Sequence, residues 1–174
     1  MSLSRRILTA AAALALAAAA PAAEKKSAAE KKPAAKHDHA HDHGEKGHAH
    51  VHTAPHKGTL VVFGEEFAHL EFVLDAGSGK LTAYALDGEA EKPVRLKQGE
   101  ITVEFAPRGA TTQTVTLKPV ANPLTGETAK DSSQYEGTSN WLKGVAKFDG
   151  AVKALTIKGT DFKAVGFKFP EGNE

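Results

Sequence analysis

Apolar and polar residues alternate with a period of two along the part of the chain that begins at Gly58. In 67–75 (FAHLEFVLD), Ala68, Leu70, Phe72 and Leu74 form one apolar set, and a mixed set contains His69 and Glu71. Because alternate side chains of a strand point to opposite faces, we expect the apolar set to face a core.

Similar short runs recur at 59–63, 81–87, 100–105, 111–117, 135–138, 145–148, 152–157 and 162–169, with a shorter edge piece at 93–96. Turn signals separate them, and no long helical pattern intervenes. The pattern predicts an all-β domain over residues 58–174, an antiparallel β-sandwich with a small barrel as the runner-up.

Finer expectations follow from the same alternation. Ile101, Val103, Phe105, Val115 and Leu117 are predicted to point inward. Residues 118–134 are predicted to form a surface loop, and 139–144 (SNWLKG) one helical turn that docks Trp141 and Leu142. The last two strands are predicted to form an edge hairpin that turns near Gly159.

The first residues have the layout of a secretory signal. A basic pair, Arg5 and Arg6, precedes the apolar run 7–20, and Ala20-Pro21-Ala22 supplies small residues for cleavage after Ala22. A membrane anchor is the alternative, but a spanning helix needs about 20 apolar residues. We therefore predict a signal peptide at 1–22, a periplasmic or secreted protein, and no integral membrane segment after cleavage.

Residues 23–57 have low complexity and are predicted to be a disordered tether. Its first part, AEKKSAAEKKPAAK, repeats Ala, Glu and Lys, and its second part is rich in histidine. No residue in 37–50 is large and apolar, so this stretch is not expected to join a core.

Charge and residue usage exclude several classes of function. Removing 1–22 takes two arginines from 22 basic residues and leaves the 21 acidic residues in slight excess, which argues against a nucleic-acid binder. The chain has no cysteine, and its one methionine is Met1. From Gly58 onward His69 is the only histidine, and no nucleophile elbow or phosphate loop is present, so we predict that the protein is not an enzyme.

The histidine tract, HDHAHDHGEKGHAHVH at 37–52, carries the strongest chemical signal. Imidazole is the common neutral-pH ligand for Cu²⁺, Zn²⁺ and Ni²⁺, and an extended HxH spacing places alternate rings on one side of the chain. The predicted ligands in the tract are His37, His39, His41, His43, His48, His50 and His52. The alternatives are a solvated spacer and a pH-responsive tether whose histidines gain charge below about pH 6.5.

Three residues extend this candidate site into the domain. His69 and Glu71 share one face of a strand, and His56 lies at the entrance to the first strand. They are candidate metal ligands if the strand register brings them together. The alternative is that His69 is a surface strand histidine with a Glu neighbour.

Residues 55–94 also resemble a recurring opening of small bacterial exported domains. Their pattern is a His-Gly-Gly element, a short strand, a His-bearing strand with an acidic turn, and a strand of the type VYLLD followed by Pro-Val. His56, His69 and Leu81–Asp87 match, and Lys57 stands where a glycine is expected. The resemblance is to periplasmic His-rich β-sandwich domains akin to heavy-metal-binding modules near efflux adaptors, and it implies fold and location.

These observations lead to one principal functional hypothesis. The protein is predicted to bind divalent transition metals through the tract, for capture, buffering or delivery, with a metal transporter or other envelope protein as its partner. The alternative is an envelope protein-interaction module in which the tract is a spacer or a pH-responsive tether.

Overall fold

The computed structural model describes residues 52–107 and 111–173. The strands are β1 (Thr59–Phe63), β2 (Ala68–Asp75), β3 (Lys80–Leu86), β4 (Ile101–Pro107), β5 (Gln113–Pro119), β6 (Gln134–Thr138), β7 (Phe148–Ile157) and β8 (Thr160–Phe169). A 3₁₀ turn, Asn140–Leu142, lies between β6 and β7. The predicted signal at 1–22, the tether as far as residue 51 and the tract histidines from His37 to His50 lie outside the described residues.

All eight strands belong to one antiparallel sheet in the order β1-β2-β3-β6-β5-β4-β7-β8. The sheet curls into a nearly closed, barrel-like shape, in which the side chain of Thr59 in β1 donates to the carbonyl of Pro170 at 3.1 Å, just after β8. The prediction of an all-β antiparallel domain is confirmed. The curled single sheet corresponds to the barrel given as the runner-up.

The core lies inside this curled sheet. The five residues of β4 and β5 that were predicted to point inward are all buried. Phe72 of β2 stacks on Phe167 of β8 with ring centroids 4.9 Å apart, so the two ends of the sheet meet through aromatic packing. The hydroxyl of the buried Tyr135 shares its one proton between the backbone oxygens of Gln98, at 2.8 Å, and Leu96, at 3.2 Å, which fixes the segment before β4 against the core.

Two local predictions need correction. The run at 145–148 is not a strand of its own: residues 145–147 lie outside any strand, and β7 begins at Phe148 and continues through Gly150 to Ile157. A side chain at Gly150 would meet the ring of Phe167 at 2.6 Å, so this glycine makes room for an aromatic ring and does not mark a turn. In the 3₁₀ turn, Leu142 is buried but Trp141 is 56% exposed, since one short turn presents only one of the two to the core.

The last two strands form the predicted hairpin, and the segment 93–96 is short, as predicted. β7 and β8 pair up to Ile157 and Thr160, around Gly159. The piece at 93–96 makes only isolated bridges, from Pro93 to Leu86 and from Leu96 to Ser132.

The outer edge of β1 is covered by residues that follow β8. The side-chain amide of Asn173 accepts from the backbone N–H of Val62 at 2.7 Å and donates to its carbonyl at 3.2 Å. One side chain thus takes the place of a neighbouring strand at this edge, where unpaired backbone groups would otherwise be exposed.

Candidate functional site

The candidate site lies on the outer face of β1, β2 and β3. The register places Glu71 opposite both Leu60 and Tyr84, and His69 opposite both Val62 and Leu86. Directly opposite residues share one face of a sheet, so His69 and Glu71 lie on the face turned away from the core. Both are nevertheless fully buried, at 0% exposure. The alternative that His69 is a surface histidine is therefore wrong, because another segment covers this face.

The covering segment is His52–Lys57, which we call the strap. At its start, the His52 ring packs edge-on against the His69 ring, with centroids 4.9 Å apart and planes at 61°. At its end, the His56 ring stacks on the Tyr84 ring at 3.7 Å and 9°. The folded domain therefore begins upstream of Gly58, because the strap belongs to its packed surface.

Glu71 fastens the strap and the residue that follows it, Gly58, through three hydrogen bonds. Its Oε1 accepts from the backbone N–H of His56 and of Gly58, both at 2.8 Å. Its Oε2 accepts from Nδ1 of His56 at 2.7 Å. A buried carboxylate is costly unless such donors surround it, so the strap and Glu71 depend on each other.

The backbone of the strap is shaped to reach this carboxylate. Lys57 donates to the carbonyl of Ala54 at 3.1 Å and has a φ of 60°. This left-handed conformation favours glycine. Lys57 adopts it where the resemblance expects glycine, and the amides on either side of it turn towards Glu71. The backbone here therefore wraps a carboxylate of the protein itself.

His69 is oriented by the loop after β3. Its Nδ1 lies 2.9 Å from the carbonyl oxygen of Asp87. A carbonyl only accepts, so Nδ1 carries the proton, and in the neutral ring Nε2 keeps its lone pair. Hydrogen bonds from the Glu91 and Lys92 amides to the Asp87 carboxylate hold this loop in place. Partial burial opposes ionisation of Asp87, but these bonds and the Lys92 charge lower its pKa below the usual value.

Two further side chains complete the site, and the sequence analysis did not single them out. Nε2 of His52 lies 3.5 Å from Oε1 of Glu66, in the β1–β2 turn. Tyr84 supports the His56 ring, and burial raises its pKa above the ordinary value, with further increases from the charges of Glu136 and Glu71. The sequence could have indicated Tyr84 as a neighbour of Glu71, because the register of the β2–β3 hairpin places the two residues opposite each other. No sequence signal connected Glu66 with His52.

The structure thus divides the predicted ligands within the described residues into two pairs. His52 contacts His69, and His56 contacts Glu71. Among residues 52–107 and 111–173, no group of three or more His, Asp or Glu side chains is arranged to hold a metal ion. The tract ligands from His37 to His50 lie outside these residues.

No helix among the described residues has the length and apolar character needed to cross a membrane. Comparisons with protein-family models, with curated proteins and with solved structures found no match to this chain.

Proposed function

We propose that the protein is an exported binder of divalent transition metals, with the histidine tract at 37–52 as its binding element and the barrel as the anchor. The observation that supports this most directly is the position of His52. The last histidine of the tract packs against His69, a histidine of the folded domain. The tract would therefore start from a fixed point on the barrel surface.

The chemistry of the tract suits capture and exchange. Neutral imidazoles bind Cu²⁺ more strongly than Ni²⁺ or Zn²⁺, following the general order of affinities for nitrogen ligands. Protons compete for the same nitrogens, so binding weakens as the pH falls towards about 6. Since the chain has no cysteine, thiolate sites for Cu⁺ are excluded.

The structure supports different roles for the domain residues predicted as ligands. His56 and Glu71 bind each other and hold the strap. His52 and His69 lie together at the end of the tract. In our proposal the first pair is structural and the second pair belongs to the metal-binding region.

The test is a calorimetric titration of Cu²⁺, Zn²⁺ and Ni²⁺ into the protein cleaved after Ala22. A first variant replaces the tract histidines His37, His39, His41, His43, His48 and His50 by Asn. A matched control replaces the same number of Ala and Lys residues in 23–36 by Asn. We expect the original protein and the control to bind more than one ion with Kd below about 1 µM, and the histidine variant to lose most of this capacity.

Two results would overturn the proposal. One is a protein that binds all three ions more weakly than about 10 µM, and the other is a histidine variant that binds as many ions as the control. Export is tested separately, by fractionating bacterial cells that express the full chain and sequencing the amino terminus of the product. Recovery of the uncleaved protein in the cytoplasm alone would refute the proposed location.

A further inference from the structure

A groove opens at the end of the barrel that carries the β7–β8 turn. One wall is the segment 95–98, and the other is formed by Thr156, Lys158 and Gly159. Its volume is about 520 Å³, within the range of roughly 300–1,000 Å³ that is typical of small-molecule sites. Three lining residues are basic and none is acidic, although the chain as a whole has 22 basic and 21 acidic residues. The lining therefore favours an anion.

The first wall is held in a fixed position. Leu96 exchanges two backbone hydrogen bonds with Ser132, at 2.9 and 3.2 Å. The hydroxyl of Tyr135 bonds to the backbone oxygens of Leu96 and Gln98 from the core side. The side-chain oxygen of Gln98 accepts from a backbone N–H of β7 at 3.0 Å, which connects the two walls. Leu96 is buried, so it forms an apolar floor that is already in place before a ligand arrives.

The second wall carries Lys158 in a strained backbone conformation. Lys158 and Gly159 are the central residues of the β7–β8 turn, and their φ values are 49° and 83°. A two-residue turn with both φ values positive favours Asn-Gly or Asp-Gly. Lysine at the first position does not suit this backbone, which points to a role for its side chain. Its Nζ lies 5.6 Å from the centre of the Phe67 ring, a cation–π contact that holds the ammonium group beside the groove.

Two of the three basic side chains have no acidic partner. Arg95 is paired with Asp131 at 3.3 Å. In the part of the chain that the structure describes, neither Lys97 nor Lys158 forms an ion pair. Asp161, on the same hairpin as Lys158, accepts instead from a threonine hydroxyl of β7 at 2.6 Å. An anion in the groove would therefore meet two unneutralised ammonium groups, one from each wall.

We infer that the groove binds an amphiphilic carboxylate, with its charge between Lys97 and Lys158 and its aliphatic chain over Leu96. The methylene stems of the two lysines add apolar surface along the walls. A small inorganic anion would use the charges but leave the apolar floor uncovered, so a ligand with both parts gains more from this site. This binding is separate from the metal binding proposed for the tract and does not depend on it.

The test is a titration of the protein cleaved after Ala22 with octanoate in metal-free buffer, followed by NMR spectroscopy of the backbone amides. We expect saturable shifts with a Kd of about 0.1–1 mM, largest at the amides of 95–98 and 156–159. Octanol has the same chain without the charge and should bind at least about fivefold more weakly. Acetate has the charge with almost no chain and should give no saturable shift below about 10 mM.

Substitutions then test the two free cations. Lys97→Gln and Lys158→Gln should each weaken octanoate binding by about three- to tenfold, because each removes one unpaired charge. Lys163→Gln makes the same charge change at an exposed position of β8 outside the groove, so it is the matched control and should bind like the original protein. All three lysines are exposed, and urea denaturation checks that the variants keep the stability of the original protein.

The inference is overturned if octanoate shows no saturable binding below about 5 mM, or if its shifts are largest outside the two walls. It is equally overturned if octanol binds as tightly as octanoate, or if Lys163→Gln weakens binding as much as Lys97→Gln and Lys158→Gln. A titration with a short polyglutamate peptide covers another class of ligand. If this peptide shifts the same amides with a lower Kd than octanoate, the groove takes an acidic segment of a protein and the assignment to an amphiphile is wrong.

Discussion

Replacing Glu71 tests whether one carboxylate fastens the strap to the barrel. Glu71→Ala removes the acceptor of three hydrogen bonds, two from backbone amides and one from Nδ1 of His56. Hydrogen bonds to a charged group contribute about 1.5–3 kcal/mol each, so their gross contribution is on the order of 5–9 kcal/mol. The segment that these bonds hold, His56–Gly58, regains about 3 kcal/mol of backbone entropy when it is released, at about 1 kcal/mol per residue. We therefore expect a net loss of about 2–6 kcal/mol in the free energy of unfolding.

Glu71→Gln is the informative comparison, because it keeps the shape. Its amide oxygen can take the place of Oε1 and accept from the amides of His56 and Gly58. Its NH₂ group can then donate to Nδ1 of His56 in the other neutral tautomer. All three bonds survive as weaker neutral bonds, and the amide avoids the desolvation of a buried charge. We expect a loss of about 1 kcal/mol.

The assay is urea denaturation of metal-free protein near neutral pH, followed by circular dichroism, together with hydrogen exchange of the His56 and Gly58 amides. Glu71→Ala should abolish the protection of both amides, and Glu71→Gln should retain most of it. The reasoning fails if Glu71→Ala is within about 0.5 kcal/mol of the original protein with its amides still protected. It also fails if Glu71→Gln loses as much stability and amide protection as Glu71→Ala. The neutral amide would then not replace the carboxylate as an acceptor, and the charge alone would hold the strap.

Three further predictions concern the barrel. In urea denaturation, Gly58→Ala should lower the free energy of unfolding by about 1–3 kcal/mol, because its Cβ would lie 2.5 Å from the carbonyl oxygen of Phe72. The control is Gly99→Ala, whose Cβ would meet nothing within 4 Å and which should leave stability nearly unchanged. Burial, with a smaller effect from the Asp131 charge, raises the pKa of Tyr135 to about 12. Between about pH 10 and pH 12 the folded protein keeps a proton that the unfolded chain loses. The free energy of unfolding should therefore be fully present below about pH 10 and fall as the pH rises towards about 12. The fall should be smaller in Tyr135→Phe, and equal pH dependence of stability in the two proteins would contradict this. Asn173→Ala should cost about 1 kcal/mol in urea and expose the Val62 amide to hydrogen exchange, whereas unchanged exchange would show that the bond at this edge is not formed in solution.

The alternation of residues was enough to predict the strands and most of the core. Ile101, Val103 and Phe105 are buried because strand side chains alternate with a period of two, whatever the topology. The same rule correctly placed His69 and Glu71 on one face. It failed at Gly150, where the demand for a glycine comes from a ring on the neighbouring strand.

The covering of the site was not predictable in the same way. The segment His52–Lys57 is short and polar, so its sequence predicts a continuation of the tether. Its packing depends on a carboxylate that is distant in sequence. Glu71 is separated from His56 by 15 positions, and their contact follows from the hairpin register and the turn at Lys57. The alternation of apolar and polar residues predicts neither this register nor this turn. The burial of Glu71 and His69 is therefore seen only in the structure.

The contacts that close the barrel also bear on how the chain folds. The bonds from Thr59 to Pro170 and from Val62 to Asn173 each join residues 111 positions apart. Contacts of such separation carry the largest loop-closure entropy and form late. The β1–β2 hairpin can form as soon as it is synthesised, but its outer edge must wait for residues 170–173. During that interval an unprotected edge is open to pairing with other chains, so aggregation during folding should increase when residues 170–173 are altered, even where the finished fold tolerates the change.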